Sequence, residues 1–337
     1  MTIDGKPVVD LWGGLADKDT ARAWEKDTLV NVFSTTKGFT AMCAHRLVDQ
    51  GLLDLEAPVA QYWPELARHG KEAIRVRWLL DHRAGLPAVK ATLPPEALFD
   101  WTAMTSALAA EAPWWTPGTQ HGYHAVTFGW LVGEVIRRAS GRTMGAYFRD
   151  EIARPLGLDV HVGLDPKDDA RCAELRPGRK RPNESTLFDR IMSAPDSMTA
   201  KAFTNPIAMV MPGTVGSRAF RAAELPSVNG HATARSIARL YGVLACGGEQ
   251  DGVRVLSGES IDRARTESSS GLDAVLGVST RFGLGFMLSQ PEASFGPSAG
   301  AFGHPGAGGS IGFADPECRV GFSYVMNRMG SSLLLDP

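Results

Sequence analysis

The sequence predicts an α/β (α+β) fold: an antiparallel sheet closed by both ends of the chain and flanked by helices, with a mostly helical second domain inserted between. Three observations predict it. Strand-like segments open the chain and fill its last part, while the helical periodicities lie mainly between them. The turn-forming Asp315-Pro-Glu-Cys318 separates the last two strand-like runs, as an antiparallel hairpin requires. A length of 337 residues exceeds one small core and fits one large or two intermingled domains. Residues 1–51 and 225–337 are assigned to the sheet domain and residues 52–224 to the helical one.

Taken in order, Pro7–Gly14 reads as a strand ending in a glycine turn. A helix follows Ser34, with Phe39, Met42, Cys43 and Leu47 at helical spacing and Gly51 as its stop. Leu53–Val59 and Tyr62–Pro64 form a turn-rich link, and Ile74–His82 passes from alternation into a short helix stopped by Gly85 and Pro87. A helix is expected from about Asp100 to Glu111, then a loop over Trp114–Tyr123, set by its prolines and glycines. The next helix runs to Gly141 on a stripe of Phe128, Leu131, Val132, Val135 and Ile136. Residues from about Asp165 to Glu224 are polar and show no clear period. Thr233 caps a helix carrying Ile237, Leu240, Tyr241 and Leu244, closed by Gly247. Phe282–Leu288, Gly303–Gly306, Ile311–Asp315 and Arg319–Met326 read as successive strands.

Composition excludes several function classes. A formal net charge of −2 gives no reason to expect a nucleic-acid or acidic partner. The one basic cluster, Arg176–Pro182, contains two prolines and reads as a solvated loop. No apolar run is long enough to span a bilayer, and the N-terminus has no apolar signal core, so no membrane partner and a cytoplasmic location are expected. Cys43, Cys172, Cys246 and Cys318 are scattered, which fits a reducing compartment better than a disulfide framework or a zinc site.

The chemistry centres on Ser34-Thr-Thr-Lys37. Residues three apart share a helix face, so both side chains point the same way. Serine needs a base within hydrogen-bond reach, and lysine can be that base when burial and neighbouring cations lower its pKa. The competing reading is an N-capping serine with a solvated lysine one turn on. Gly308-Gly-Ser310-Ile-Gly312 matches the Gly-x-Ser-x-Gly pattern of another hydrolase class, but that pattern needs a helix after the serine. Here strands follow Ser310 and no histidine does, so it is set aside. His121 and His124 lack a third ligand at a usual spacing; no metal or other cofactor is expected.

Five motifs then occur in family order: Ser34–Lys37, Trp78–Pro87, Pro117–Tyr123, Pro155–Leu158 and Gly303–Gly309. Together they resemble the serine β-lactamase-related proteins of the class C and penicillin-binding type, and within that group the chain is most similar to the family VIII carboxylesterases. The resemblance implies a β-lactamase/transpeptidase-like fold with the active site between its two domains. It implies Ser34 as the acylated nucleophile, Lys37 as its base and Tyr123 as the proton relay, with two nearby cations favouring the tyrosine phenolate. The N–H groups of Ser34 and Ala307 would form the oxyanion hole, since Pro305 has no N–H. His304 would contact substrate, Gly306 would let substrate approach the strand, and Trp114 and Trp115 would wall an acyl pocket.

The chain departs from the β-lactamase pattern twice. Ala125 stands where an asparagine is usual, and His304 where the third motif has lysine. Both changes weaken recognition of an anionic lactam, while nucleophile, base and oxyanion donors are intact. Hydrolysis of small short-chain esters is therefore expected, with β-lactamase or D-alanyl-D-alanine peptidase-like activity, or a non-catalytic scaffold, as alternatives. The resemblance also implies a leading helix and strand and a closing helix that this chain lacks. The expectation that follows is an uncovered apolar sheet face and an unpaired edge.

Overall fold

The computed structural model describes residues 1–178, 187–291 and 293–331. Its frame is an eight-stranded antiparallel sheet in the order Ser269–Leu272, Ser279–Phe282, Met287–Leu288, Phe302–Pro305, Ile311–Asp315, Val320–Tyr324, Thr2–Ile3 and Lys6–Pro7. The start of the chain closes onto Val320–Tyr324, with Thr2 opposite Gly321 and Ile3 opposite Val320. At the turn before that strand, Cys318 N–H donates to the Asp315 carboxylate.

Three strand expectations are corrected. The opening strand is a hairpin turned at Asp4-Gly5, both at positive φ; its second strand is Lys6–Pro7, so only Pro7 of the expected Pro7–Gly14 segment is paired. Pro7 offers no N–H, and the next two amides, Val8 and Val9, both donate to Met1 O, which bends the chain off the sheet. Phe282–Leu288 is two strands rather than one, because Gly285 at φ 88° turns the chain and sets Phe282 opposite Met287. Ser269–Leu272 is an edge strand that its small polar residues did not signal.

The Ala234–Ala245 helix packs flat on the sheet because the facing strand positions lack side chains: a Cβ on Gly321 would lie 2.2 Å from Gly242 N, and one on Gly312 would lie 2.5 Å from the Tyr241 ring. Thr233 caps this helix by accepting from Ser236 N–H. On the opposite sheet face Phe295 covers Phe313, while Ile3 and Tyr324 stay exposed. The expected bare face is thus present in part, and its edge is a two-residue strand bearing Lys6 and Pro7, poor templates for pairing.

The Thr36–Asp49 helix runs through the core against Thr127–Ser140. Gly51 and Gly141, at φ 71° and 69°, end these helices in the left-handed conformation. The expected helix after Asp100 spans Trp101–Ala110, capped by the Asp100 carboxylate. The segment without a clear period contains short helices, among them Leu187–Ser193 and Met198–Thr204. Arg176 pairs with Asp19, while the basic cluster from 179 onward lies outside the described residues. Among the described residues no helix is long and apolar enough to cross a membrane.

Candidate active site

A three-stranded sheet of Val30–Asn31, His231–Ala232 and Val160–His161 delivers the chain to Ser34. Phe33, a non-glycine residue at φ 44°, turns the backbone just before the serine. Three successive i→i+3 bonds follow, from Thr36 N–H to Phe33 O, Lys37 N–H to Ser34 O and Gly38 N–H to Thr35 O. In such a turn positions i and i+3 eclipse, which aligns Ser34 with Lys37 more closely than α-helical spacing would. Ser34 therefore lies two residues before the helix and does not cap it. Thr36 ties the turn down, its hydroxyl donating to Phe33 O at 2.5 Å and accepting from Gly230 N–H at 2.8 Å.

Lys37 is fully buried. Its Nζ lies 3.1 Å from Ser34 Oγ, 2.7 Å from Ala125 O and 3.1 Å from Ser227 O. Burial drives its pKa well below the usual lysine value. Two N–H bonds go to the carbonyls, and the third partner, the Ser34 hydroxyl, can accept from the ammonium or donate to the neutral amine. Sequence reasoning missed both carbonyls, because a backbone oxygen carries no residue-type signal. Ala125, whose side chain offers nothing, contributes through its main chain.

The Tyr123 phenol neighbours the Ser34 side chain, and Lys37 Nζ lies 4.7 Å from the centre of its ring. Burial raises the phenol's pKa well above its ordinary value, only partly offset by the nearby Ser34 hydroxyl. The expectation of a phenolate is thus corrected. The neighbouring lysine is itself desolvated toward neutrality, and His82, His124 and His304 are all pushed down by burial, the last two to about 3. Among the described residues, burial therefore works against each of the neighbouring cations that would stabilise a phenolate. Its main-chain N–H points at Asp273, a buried carboxylate that sequence reasoning did not single out.

His304 is buried, its Nδ1–H donating to Pro305 O at 2.7 Å while Nε2 has no partner among the described residues. Its ring centre lies 6.0 Å from that of Tyr123. A Cβ on Gly306 would lie 2.2 Å from both Val32 O and Ser310 Oγ, so this glycine seats the strand end against the turn that carries Ser34. Ser310 donates to Val32 O at 2.7 Å behind that turn. Trp114 and Trp115 are also corrected. Trp114 donates to Ala88 O, and Trp115 packs edge-on to His124 and against Gly85. His121 meets Thr280, and both ring nitrogens of His124 are occupied, by Leu86 N–H and Gly122 O. Among the described residues no group of three His, Cys, Asp or Glu could hold a metal.

The cavity at Ser34 has a volume of about 510 Å³. Ser34 and Ala307 open onto it, and neither N–H makes a backbone hydrogen bond among the described residues. Its walls are mainly apolar: Phe33, Val126, Phe203, Met209 and Val210 contribute. Neither tryptophan is among them. Phe203 and Met209 come from the short helices of the segment without a clear period, which is why sequence patterning could not place them.

The sequence profile of the Beta-lactamase family matches residues 1–335. The chain belongs to the beta-lactamase family. It is 39% identical to the esterase/beta-lactamase LipL of Mycobacterium tuberculosis, over 99% of this chain and 77% of that protein. Among solved structures it is similar to a family VIII carboxylesterase, with 40% identity and a TM-score of 0.88 over 99% of this chain and 87% of the other. It is also similar to a penicillin-binding protein homologue from Caulobacter crescentus, with 41% identity and a TM-score of 0.89 over 100% and 87%. The expected β-lactamase/transpeptidase-like fold and the family VIII likeness are thus borne out, and the chain is a serine hydrolase of the beta-lactamase fold.

Proposed function

We propose that this protein is a carboxylesterase that cleaves short-chain esters of small molecules through an acyl-enzyme on Ser34. One observation carries the reading: a fully buried lysine holds its third hydrogen-bonding direction on Ser34 Oγ, at 3.1 Å, while two carbonyls take the others. Neutral Lys37 takes the Ser34 proton as Oγ attacks the ester carbonyl. The oxyanion is held by the N–H groups of Ser34 and Ala307, each such donor contributing about 3 kcal/mol to lowering the barrier. The ester C–O bond then breaks, and the alkoxide leaves with a proton passed from Lys37 through the Tyr123 phenol. Water repeats the sequence in reverse to free the acid. The two domains assigned from the sequence fit this reading, with Ser34 from the sheet domain and Tyr123 from the helical one.

The apolar cavity supports acyl chains from acetate to roughly hexanoate, with about 1–3 kcal/mol of discrimination per methylene. A neutral His304 and the methyl of Ala125 disfavour a lactam carboxylate and its side-chain amide. The test has two parts. A fluorophosphonate probe should label Ser34, located by mass spectrometry, and Ser310→Ala should leave that labelling intact. On one preparation, kcat/KM for p-nitrophenyl butyrate should exceed that for a chromogenic cephalosporin. A higher value for the cephalosporin would restore β-lactamase as the primary activity, and absence of any Ser34 adduct would indicate a non-catalytic member.

A further inference from the structure

The backbone at Tyr123 is held from outside its own loop. Asp273, fully buried, accepts Tyr123 N–H on both carboxylate oxygens at 3.0 Å. The same carboxylate caps its own turn, taking Val275 N–H at 2.9 Å and Leu276 N–H at 2.8 Å on Oδ1. Thr280 donates its hydroxyl to Oδ2 at 3.3 Å and lies 2.8 Å from His121 Nε2. That direction of donation fixes His121 as the Nε2–H tautomer, so a neutral chain runs from His121 through Thr280 to the carboxylate. Among the described residues the nearest ionisable nitrogen to it is His121 Nε2, 4.0 Å away. A buried carboxylate satisfied by N–H and O–H donors, without a salt-bridging arginine or lysine, has rigid directional requirements and orders what it touches.

The turn it organises reaches two further places. Ala274 N–H donates to His121 O, which fixes the chain two residues before Tyr123. Val275 O accepts from Thr199 and Leu276 O from Arg190, side chains on the two short helices at the cavity wall. Burial and the Asp273 charge both act to keep the Tyr123 phenol protonated.

We infer that Asp273 is the positioning residue of the relay tyrosine: through the Tyr123 main-chain N–H it sets where the phenol stands relative to Ser34. This inference rests on the proposed role of Tyr123 and makes Asp273 contribute to turnover only through that hydroxyl. A residue that merely stabilised the fold would lower activity whether or not the hydroxyl were present.

The experiment is a double-mutant cycle on full-length protein with Asp273→Asn, Tyr123→Phe and the combined variant, each assayed on p-nitrophenyl butyrate and on ethyl butyrate. Nitrophenolate departs without a proton and ethoxide does not, so a relay defect is larger on the alkyl ester. Asp273→Asn is expected to lower kcat/KM, which reports acylation alone, by roughly 10- to 100-fold on ethyl butyrate and by less on the nitrophenyl ester. In the Tyr123→Phe background the same change should cost no more than about twofold. Losses that multiply in the combined variant, or that are equal on the two esters, would overturn the inference. If Asp273→Asn does not fold, Thr280→Val, which removes the donor to Oδ2, takes its place in the same cycle with an expected loss of several-fold on the same criteria. Wild-type activity in Tyr123→Phe on both esters would instead remove the relay role itself, and the inference with it, while Ser34 labelling would still stand.

Discussion

Lys37 and Lys71 are both fully buried, and each has three oxygen partners, yet their surroundings ask opposite things of the amine. Lys71 Nζ meets Leu108 O at 3.0 Å, Ala109 O at 2.8 Å and Glu111 O. All three are carbonyls, which only accept, so the site needs three donors and holds an ammonium at the end of the Trp101–Ala110 helix, where the helix dipole favours a cation. At Lys37 one carbonyl is replaced by the Ser34 hydroxyl, which can turn and donate. Burial lowers both pKa values, that of Lys71 to about 8 with Glu111 and Glu72 opposing, that of Lys37 well below the ordinary lysine value with burial as its cause. In the proposed mechanism, the exchange of one carbonyl for a hydroxyl, together with the absence among the described residues of an opposing carboxylate, separates the base Lys37 from the structural cation Lys71.

The largest expected effect breaks the comparison at Lys37. Ser34→Ala and Lys37→Ala should each lower kcat on esters by about 10⁴-fold or more, because nucleophile and base act as a unit. Lys37→Arg should be equally inactive, since a guanidinium keeps its proton. Steady-state assays on folded variants, checked by circular dichroism, measure this; an active Lys37→Arg enzyme would mean that the base lies elsewhere.

A second prediction sharpens the comparison through pH. In the proposed mechanism the amine works only when neutral, and burial holds its pKa well below the ordinary lysine value, so kcat/KM should reach its alkaline plateau well below that ordinary value. It should fall about tenfold per unit once pH drops below that lowered value. Tyr123, its pKa raised, should add no loss until strongly alkaline pH. A pH–rate profile with an acid limb near the ordinary lysine value would show that Lys37 stays charged.

The smallest effect on activity belongs to Lys71. Lys71→Met leaves three carbonyls without donors and should cost about 2–4 kcal/mol of stability in urea unfolding. Turnover per folded molecule should stay within about twofold of wild type. A large drop in kcat at unchanged stability would merge the two lysines into one functional class.

The contrast also explains what could be read before the fold was known. Ser34, Lys37, Tyr123 and the glycine-bearing strand end announce themselves by residue type and order, and the helix stops at Gly51 and Gly141 by their freedom at positive φ. The acceptors that tune Lys37 are main-chain oxygens of Ala125 and Ser227, 88 and 190 residues away, and no side chain advertises them. Asp273 looked like any polar turn residue, since its burial is a property of the folded molecule. Two errors share one cause. Sequence lists charges and aromatic rings but not their desolvation or direction, so Tyr123 was given a phenolate and the two loop indoles a cavity they do not line. Phe203 and Met209, which do line it, sit in helices too short for an amphipathic period to emerge.

Gly306 carries a last consequence. Its missing methyl lets the strand end rest on Val32 O and Ser310 Oγ, and Ala307 is the very next residue. Ser34 and Ala307, which both line the cavity, belong to separate segments, and the gap between those segments is gauged by a hydrogen atom. Position 306 has no latitude: any side chain there acts as a spacer, widening the distance between the two amides proposed to close on one oxygen.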